Sequence, residues 1–165
     1  MNKKVFQILV DNTTGVLSRI SGLFSRRGYN IESITAGVTA DPRYTRITIV
    51  ATGDDDVLNQ IEKQVAKLVD VKDISELKAD TSVYRELALV KVRADSTSRD
   101  AVKSIVDFYK AKIIDVSYDS LIIELTGKSS KIDSFLDLLR DYEILELART
   151  GIAGLCRGSE GVKYL

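Results

Sequence analysis

The sequence predicts an α+β fold built from two consecutive units, each running strand, helix, strand, strand, helix, strand. Three observations predict it. Apolar runs rich in branched residues alternate with segments whose apolar residues recur at helical spacing. Clusters of Gly, Pro, Asn, Asp and Ser separate these segments. The order of the first half is then written again in the second.

Val5 to Val10 is an apolar run that reads as a buried strand. Asp11-Asn12-Thr13-Thr14-Gly15 follows as a turn and capping cluster. Val16, Leu17, Ile20, Leu23 and Phe24 then give one apolar helix face, and Gly28 stands where a helix commonly ends. Ile31 to Val38 and Ile47 to Ala51 are strands, joined through Thr39 to Tyr44 with Pro42, the only proline. Gly53-Asp54-Asp55-Asp56 opens a second helix with Val57, Leu58, Ile61, Val65 and Leu68 inward. Its aspartates suit caps at the positive end of the helix better than a metal cluster. Val71 to Leu77 closes the unit.

Leu87 to Val92 begins the repeat. Ala101, Val102, Ile105, Val106 and Tyr109 line a helix. Ile113 to Val116 and Leu121 to Leu125 are strands joined by Ser117 to Ser120. Ser129 starts a helix with Ile132, Phe135, Leu136 and Leu139 inward, and Ile144 to Ala148 is the last strand. The polar run Lys78 to Ser82 marks the boundary, giving domains 1–78 and 79–165. This order is the split βαβ, or ferredoxin-like, arrangement: an antiparallel sheet with both helices on one face. The other face is expected to be uncovered. Alternation is poor along Val5 to Val10 and Thr48 to Ala51, so both faces carry apolar residues. An open face or sheet edge asks for a partner, and a homodimer joined edge to edge is the simplest.

Composition narrows the chemistry. The chain has 165 residues, 44% of them hydrophobic, enough for one ordinary domain or two small ones. Lys plus Arg is 24 and Asp plus Glu is 24, a net charge of zero that speaks against nucleic acid as partner. Histidine is absent, which removes the commonest general acid/base and the commonest metal ligand. The single cysteine, Cys156, cannot form an intrachain disulfide and reads as a small apolar filler. The first ten residues do not read as a signal peptide, and no stretch approaches the length of a membrane span, so a cytoplasmic location is expected.

The loop after the first strand carries the functional signal. Unpaired N–H groups at a helix start can receive a carboxylate. Gly15 permits close approach, Asn12 can donate and accept, and Asp11 can attract an ammonium group. Together these are parts of a receptor for a small amino acid. The same residues also suit a plain helix cap with a tight turn.

Asp11 to Ile20 resembles the opening of the ACT domain, a family of small-molecule-binding regulatory modules. Gly22 to Ser33, with its Arg27-Gly28-Tyr29-Asn30-Ile31-Glu32-Ser33 phrase, resembles the small regulatory subunits of acetohydroxyacid synthase (acetolactate synthase). So do Asp41-Pro42, Gln60 to Gln64, Lys67 to Val71, Ser75-Glu76-Leu77, Arg85-Glu86-Leu87, Leu89 to Val92, Ile114-Asp115-Val116 and Ala148 to Gly158. The resemblance covers nearly the whole chain.

It implies that the first half is an ACT domain and that two such domains pair side by side into a continuous sheet. It implies a non-catalytic subunit in branched-chain amino acid biosynthesis, with valine bound in the cleft between domains for feedback inhibition. Asp11, Asn12, Gly15, Val16 and Leu17 would line the site from one chain, and Asn30 and Ile31 from the facing chain. Val38 is a further candidate around the ligand side chain. Position 11 is Asp where some relatives are expected to carry Glu; both are acidic. The partner would be the large catalytic subunit, activated by this one and carrying thiamine diphosphate, Mg and FAD, with no cofactor or metal in this chain.

Other features have plain readings. Arg26-Arg27 suits the negative end of its helix, with contact to the catalytic subunit as the alternative. Gly151 to Gly161 is too irregular for a phosphate loop and reads as an ordered extension with a frayed end. The alternative reading of the chain is a stand-alone ACT-type amino-acid sensor acting on another partner. An RNA-binding module would want aromatics where Val90 and Ile47 stand. A hydrolase lacks a nucleophile and base.

Overall fold

A computed structural model describes residues 2–159. The described chain folds as two compact units, residues 2–84 with 151–159, and residues 85–150.

In the first unit, β1 (Asn2–Asp11), α1 (Val16–Arg27), β2 (Asn30–Val38), β3 (Tyr44–Gly53), α2 (Asp55–Val65) and β4 (Val71–Glu76) follow the expected order. The sheet is antiparallel, with strand order β2-β3-β1-β4. Phe6, Ile8 and Val10 of β1 and Ile47, Ile49 and Ala51 of β3 face the helices. They pack with Val16, Ile20, Leu23 and Phe24 of α1 and Leu58, Ile61 and Val65 of α2. These residues share a face because successive side chains point to opposite sides of a strand.

The second unit repeats this plan with β5 (Ser82–Arg93), α3 (Arg99–Phe108), β6 (Lys112–Val116), β7 (Ser120–Gly127), α4 (Ser129–Leu138) and β8 (Ile144–Arg149). Its strand order, β6-β7-β5-β8, matches that of the first unit. Its core joins Ala88, Val90 and Val92 to Val102, Val106, Ile132, Phe135 and Leu139. The two edge strands even carry the same irregularity, a register shift between Ile31 and Ser33 in β2 and between Ile113 and Asp115 in β6. Buried Glu86 accepts hydrogen bonds from Arg149 Nε at 2.6 Å and from the Ser129 hydroxyl, tying the ends of β5 and β8 to the start of α4.

Four details differ from the sequence expectations. The division falls at Tyr84/Arg85 rather than 78/79, and residues 151–159 belong with the first unit. There, the face of the first sheet opposite its helices is not left open: Val5 and Val50 are buried against Leu77 and Ile152, with Tyr84 alongside. The short strand β9 (Ala153–Cys156) pairs with β5. The extension from residue 160 on, including its expected frayed end, lies outside the described residues. Third, α2 has no side-chain capping bond; the Asp54 carbonyl accepts from Leu58 N–H at 2.9 Å, while Asp55 and Asp56 sit in the first turn. Fourth, Cys156 is exposed, so it fills no core. Ile47 and Val90 are fully buried on the helix sides of their sheets, where an aromatic could stack on no base.

Among the described residues no helix is long and apolar enough to cross a membrane, and no group of three acidic, Cys or His residues could hold a metal. The arginines ending α1 lie in its last turn as expected, and Arg27 Nη2 also donates to Gln64 Oε1 at 2.9 Å.

Candidate functional site

The site is built around the N-terminus of α1. Gly15 caps the helix with φ +86°, a left-handed conformation that costs other residues about 1–2 kcal/mol. Its carbonyl accepts the first helical bond, from Arg19 N–H at 3.0 Å. No side chain caps the helix and no acidic residue stands in its first turn. The leading N–H groups of α1 therefore have no intrahelical partner and no local carboxylate, at the positive end of the dipole.

Arg19 fixes the loop from behind. Its Nε and Nη2 bind Asp70 Oδ2 and Oδ1 at 2.5 and 3.0 Å, and Nη2 reaches the Thr14 carbonyl at 3.4 Å. The hydrogen bond to Arg19 holds the Asp70 carboxyl below its ordinary range. A Cβ at position 15 would lie 2.9 Å from Arg19 Nη1, so any side chain there must move this clamp.

Asn12 is positioned by β3 and its hairpin. Its Nδ2 donates to the Pro42 carbonyl at 3.0 Å, and its Oδ1 accepts from Thr45 Oγ1 at 3.1 Å. Asp11 forms an ion pair with Lys72 at 2.9 Å, so its charge is matched within the chain. Val16 is buried in the core, while Leu17 is 48% exposed beside it. Thr45 faces Val10 on one side and Val38 on the other, which places Val38 at the same end of the sheet as Asn12; Val38 is 61% exposed.

Asn30 and Ile31 lie elsewhere. They begin β2, after the C-terminal end of α1, and the helix between them and Gly15 is 12 residues or about 18 Å long. Asn30 Nδ2 donates to Thr52 Oγ1 at 2.6 Å, and Ile31 is half-buried against the core. One chain thus brings together Asp11, Asn12, Gly15, Val16, Leu17 and Val38, and keeps Asn30 and Ile31 at the far end. Sequence reasoning overlooked Arg19, Thr45 and Asp70. Arg19 stands four residues after Gly15, which was a usable signal; the contacts of Thr45 and Asp70 needed the sheet register.

A description of the AHAS small subunit-like ACT domain matches residues 6–73, and one of the small subunit of acetolactate synthase matches residues 85–158. A probable acetolactate synthase small subunit of Methanothermobacter thermautotrophicus is 49% identical, over 94% of this chain and 93% of the relative. The chain belongs to the acetolactate synthase small-subunit family. The small subunit of acetolactate synthase isozyme 3 from Escherichia coli is 46% identical, over 96% and 98% of the two chains. The crystal structure of the Thermotoga maritima acetolactate synthase small subunit superposes with a TM-score of 0.90 at 40% identity, covering 96% of this chain and 99% of that one. This family is of small, regulatory subunits and not of the catalytic one, and residues 6–73 of this chain are its ACT domain. The two matched segments leave residues 1–5, 74–84 and 159–165 outside them.

Proposed function

We propose that this acetolactate synthase small subunit acts as a homodimer that senses valine and adjusts a large catalytic subunit, the chain that would carry thiamine diphosphate, Mg and FAD. The observation that carries this reading is the placement of an uncapped helix start beside an open sheet edge. β2 is the outer strand of its sheet, and its exposed residues include Ile34 and Val38. Unpaired edges of this kind are templates for another strand.

An antiparallel two-fold pairing of β2 with a second copy, centred on Ile34, sets Asn30 of one chain opposite Val38 of the other. Asn30 and Ile31 then reach the end of the sheet that holds Asn12, Gly15 and Leu17 of the facing chain. The cleft so formed suits an amino acid. Its carboxylate would meet the leading N–H groups of α1, the Asn12 and Asn30 amides would hold its polar atoms, and Leu17, Ile31 and Val38 would surround a small branched side chain. Asp11, paired to Lys72, would act on the ammonium group only through its wider field.

Binding at the dimer edge would favour one arrangement of the paired sheets, and so couple to the catalytic subunit. The test is reconstitution with that subunit. Addition of this chain should raise acetolactate formation, and valine should lower it. An unchanged rate on addition, with the two proteins failing to co-purify, would refute the regulatory-subunit role for this chain.

A further inference from the structure

Thr45 carries a hydroxyl that its strand does not need. It opens the helix-facing row of β3, opposite Val10 of β1 and Val38 of β2. The residues that continue this row, Ile47, Ile49 and Ala51, are apolar and fully buried, whereas Thr45 is only partly buried. Valine has the same shape and a similar strand preference, so packing alone does not call for the oxygen.

The hydroxyl belongs to a chain of hydrogen bonds that runs in one direction. The Pro42 carbonyl can only accept, and it takes a proton of Asn12 Nδ2 at 3.0 Å. That turns Asn12 Oδ1 toward Thr45, whose hydroxyl donates to it at 3.1 Å. The Thr45 proton is thereby engaged. Its oxygen keeps only lone pairs, and Asn12 Oδ1 keeps a second one. Two acceptors stand side by side, and neither oxygen has a proton to offer.

The carboxylates around this loop are already matched. Asp11 at the end of β1, Asp41 in the hairpin before β3 and Asp70 before β4 pair with Lys72 at 2.9 Å, Arg43 at 2.6 Å and Arg19 at 2.5 Å. A ligand cation would therefore be received by the two neutral oxygens.

We infer that Thr45 Oγ1 and Asn12 Oδ1 form the ammonium seat of the amino-acid cleft, and that Thr45 makes the cleft select an amino acid over its 2-oxo analogue. This rests on the valine-sensing reading above and adds the recognition of the amino group. An ammonium donates to both oxygens. A 2-oxo group brings a further acceptor against them and leaves both unmatched.

The test is calorimetry of the full chain with valine and with 3-methyl-2-oxobutanoate, which keeps the carboxylate and the branched side chain. Wild type should bind valine the more tightly. Thr45→Val should weaken valine by at least about tenfold, the size of a lost hydrogen bond to a charged group, and the oxo acid by less than about twofold. Thr45→Ser, which keeps the hydroxyl, should bind valine within about threefold of wild type. Where the oxo acid binds too weakly to measure, the valine affinities of the two variants decide. Equal weakening of both ligands by Thr45→Val, an unchanged valine affinity, or a loss that Thr45→Ser shares would overturn the assignment of Thr45. No valine binding to wild type would instead overturn the sensing reading, and this one with it.

Discussion

Gly15 shows how one residue can serve two purposes. Its absent side chain keeps the Arg19 clamp in place, and its φ of +86° turns the chain into α1 so that the leading N–H groups point outward. Gly15→Ala should therefore lower stability by about 1–2 kcal/mol in urea unfolding, from backbone strain alone. Unchanged stability would mean that the loop can relax around a side chain. The sequence marked this glycine as a place of close approach, but its left-handed backbone was not legible, since a loop glycine adopts either sign of φ.

Asp95 lies in the equivalent loop of the second unit, between β5 and α3. Its carboxylate accepts hydrogen bonds from the Thr97 hydroxyl, from Thr97 and Ser98 N–H, and from the Ser98 hydroxyl, and these hold its pKa down to about 2. A depressed carboxyl stabilises the fold above its unfolded value near 4 and loses that contribution as pH falls toward about 2. A carboxyl ¹³C titration should show its midpoint near 2, moving upward in Thr97→Ala. A midpoint near 4 in the wild type would contradict the hydrogen-bonded loop.

At the scale of elements, all four helices and eight strands of the double pattern were readable from period and punctuation. Of the expected helix faces, Val16, Ile20, Leu23 and Phe24 of α1 and Val102 and Val106 of α3 are buried, while Leu17 and Ala101 are exposed. What was not readable is β9. It is a four-residue strand with glycine inside, and strand periodicity needs more residues than that to show. Its place is set by shape: a Cβ at Gly154 would meet Leu77 Cδ1 at 2.8 Å and Tyr84 Cδ1 at 3.2 Å. The poor alternation of Val5 to Val10 is visible in the sequence, but nothing local says that Ile152 returns to cover the second face. Ile152→Ala should cost about 2–4 kcal/mol of stability by urea unfolding, as for other buried aliphatic truncations. A loss below about 0.5 kcal/mol would show that the tail does not seal this face.

At the scale of the molecule, two similar units carry unequal sites. The loop after β1 ends in a left-handed glycine and an uncapped helix. The equivalent loop after β5, Ala94 to Ser98, has no glycine and is filled by its own groups: Asp95 takes its N–H groups, and Arg99 Nη2 binds the Ala94, Ser117 and Tyr118 carbonyls. Valine should thus bind once per chain, two sites per dimer, by calorimetry. Two sites per chain would contradict the reading of the second loop as closed. The residues of the proposed site are legible in the sequence as chemistry, but a division over two chains is what the resemblance implies; within one chain, α1 separates Gly15 from Asn30.

One cleft, shared between Gly15 of one chain and Asn30 of the other, is the proposed valine sensor. The most direct measurement is a valine titration of the reconstituted enzyme with wild type, Gly15→Asp and Asn30→Ala. Gly15→Asp places a negative charge at the start of α1, beside Arg19, where the ligand carboxylate would bind. It should abolish inhibition while leaving the basal activation of the catalytic subunit. Asn30→Ala should weaken valine by about 10- to 150-fold, the cost of a lost hydrogen bond to a charged group. Inhibition curves for both variants that coincide with wild type, with association intact, would place the sensor elsewhere.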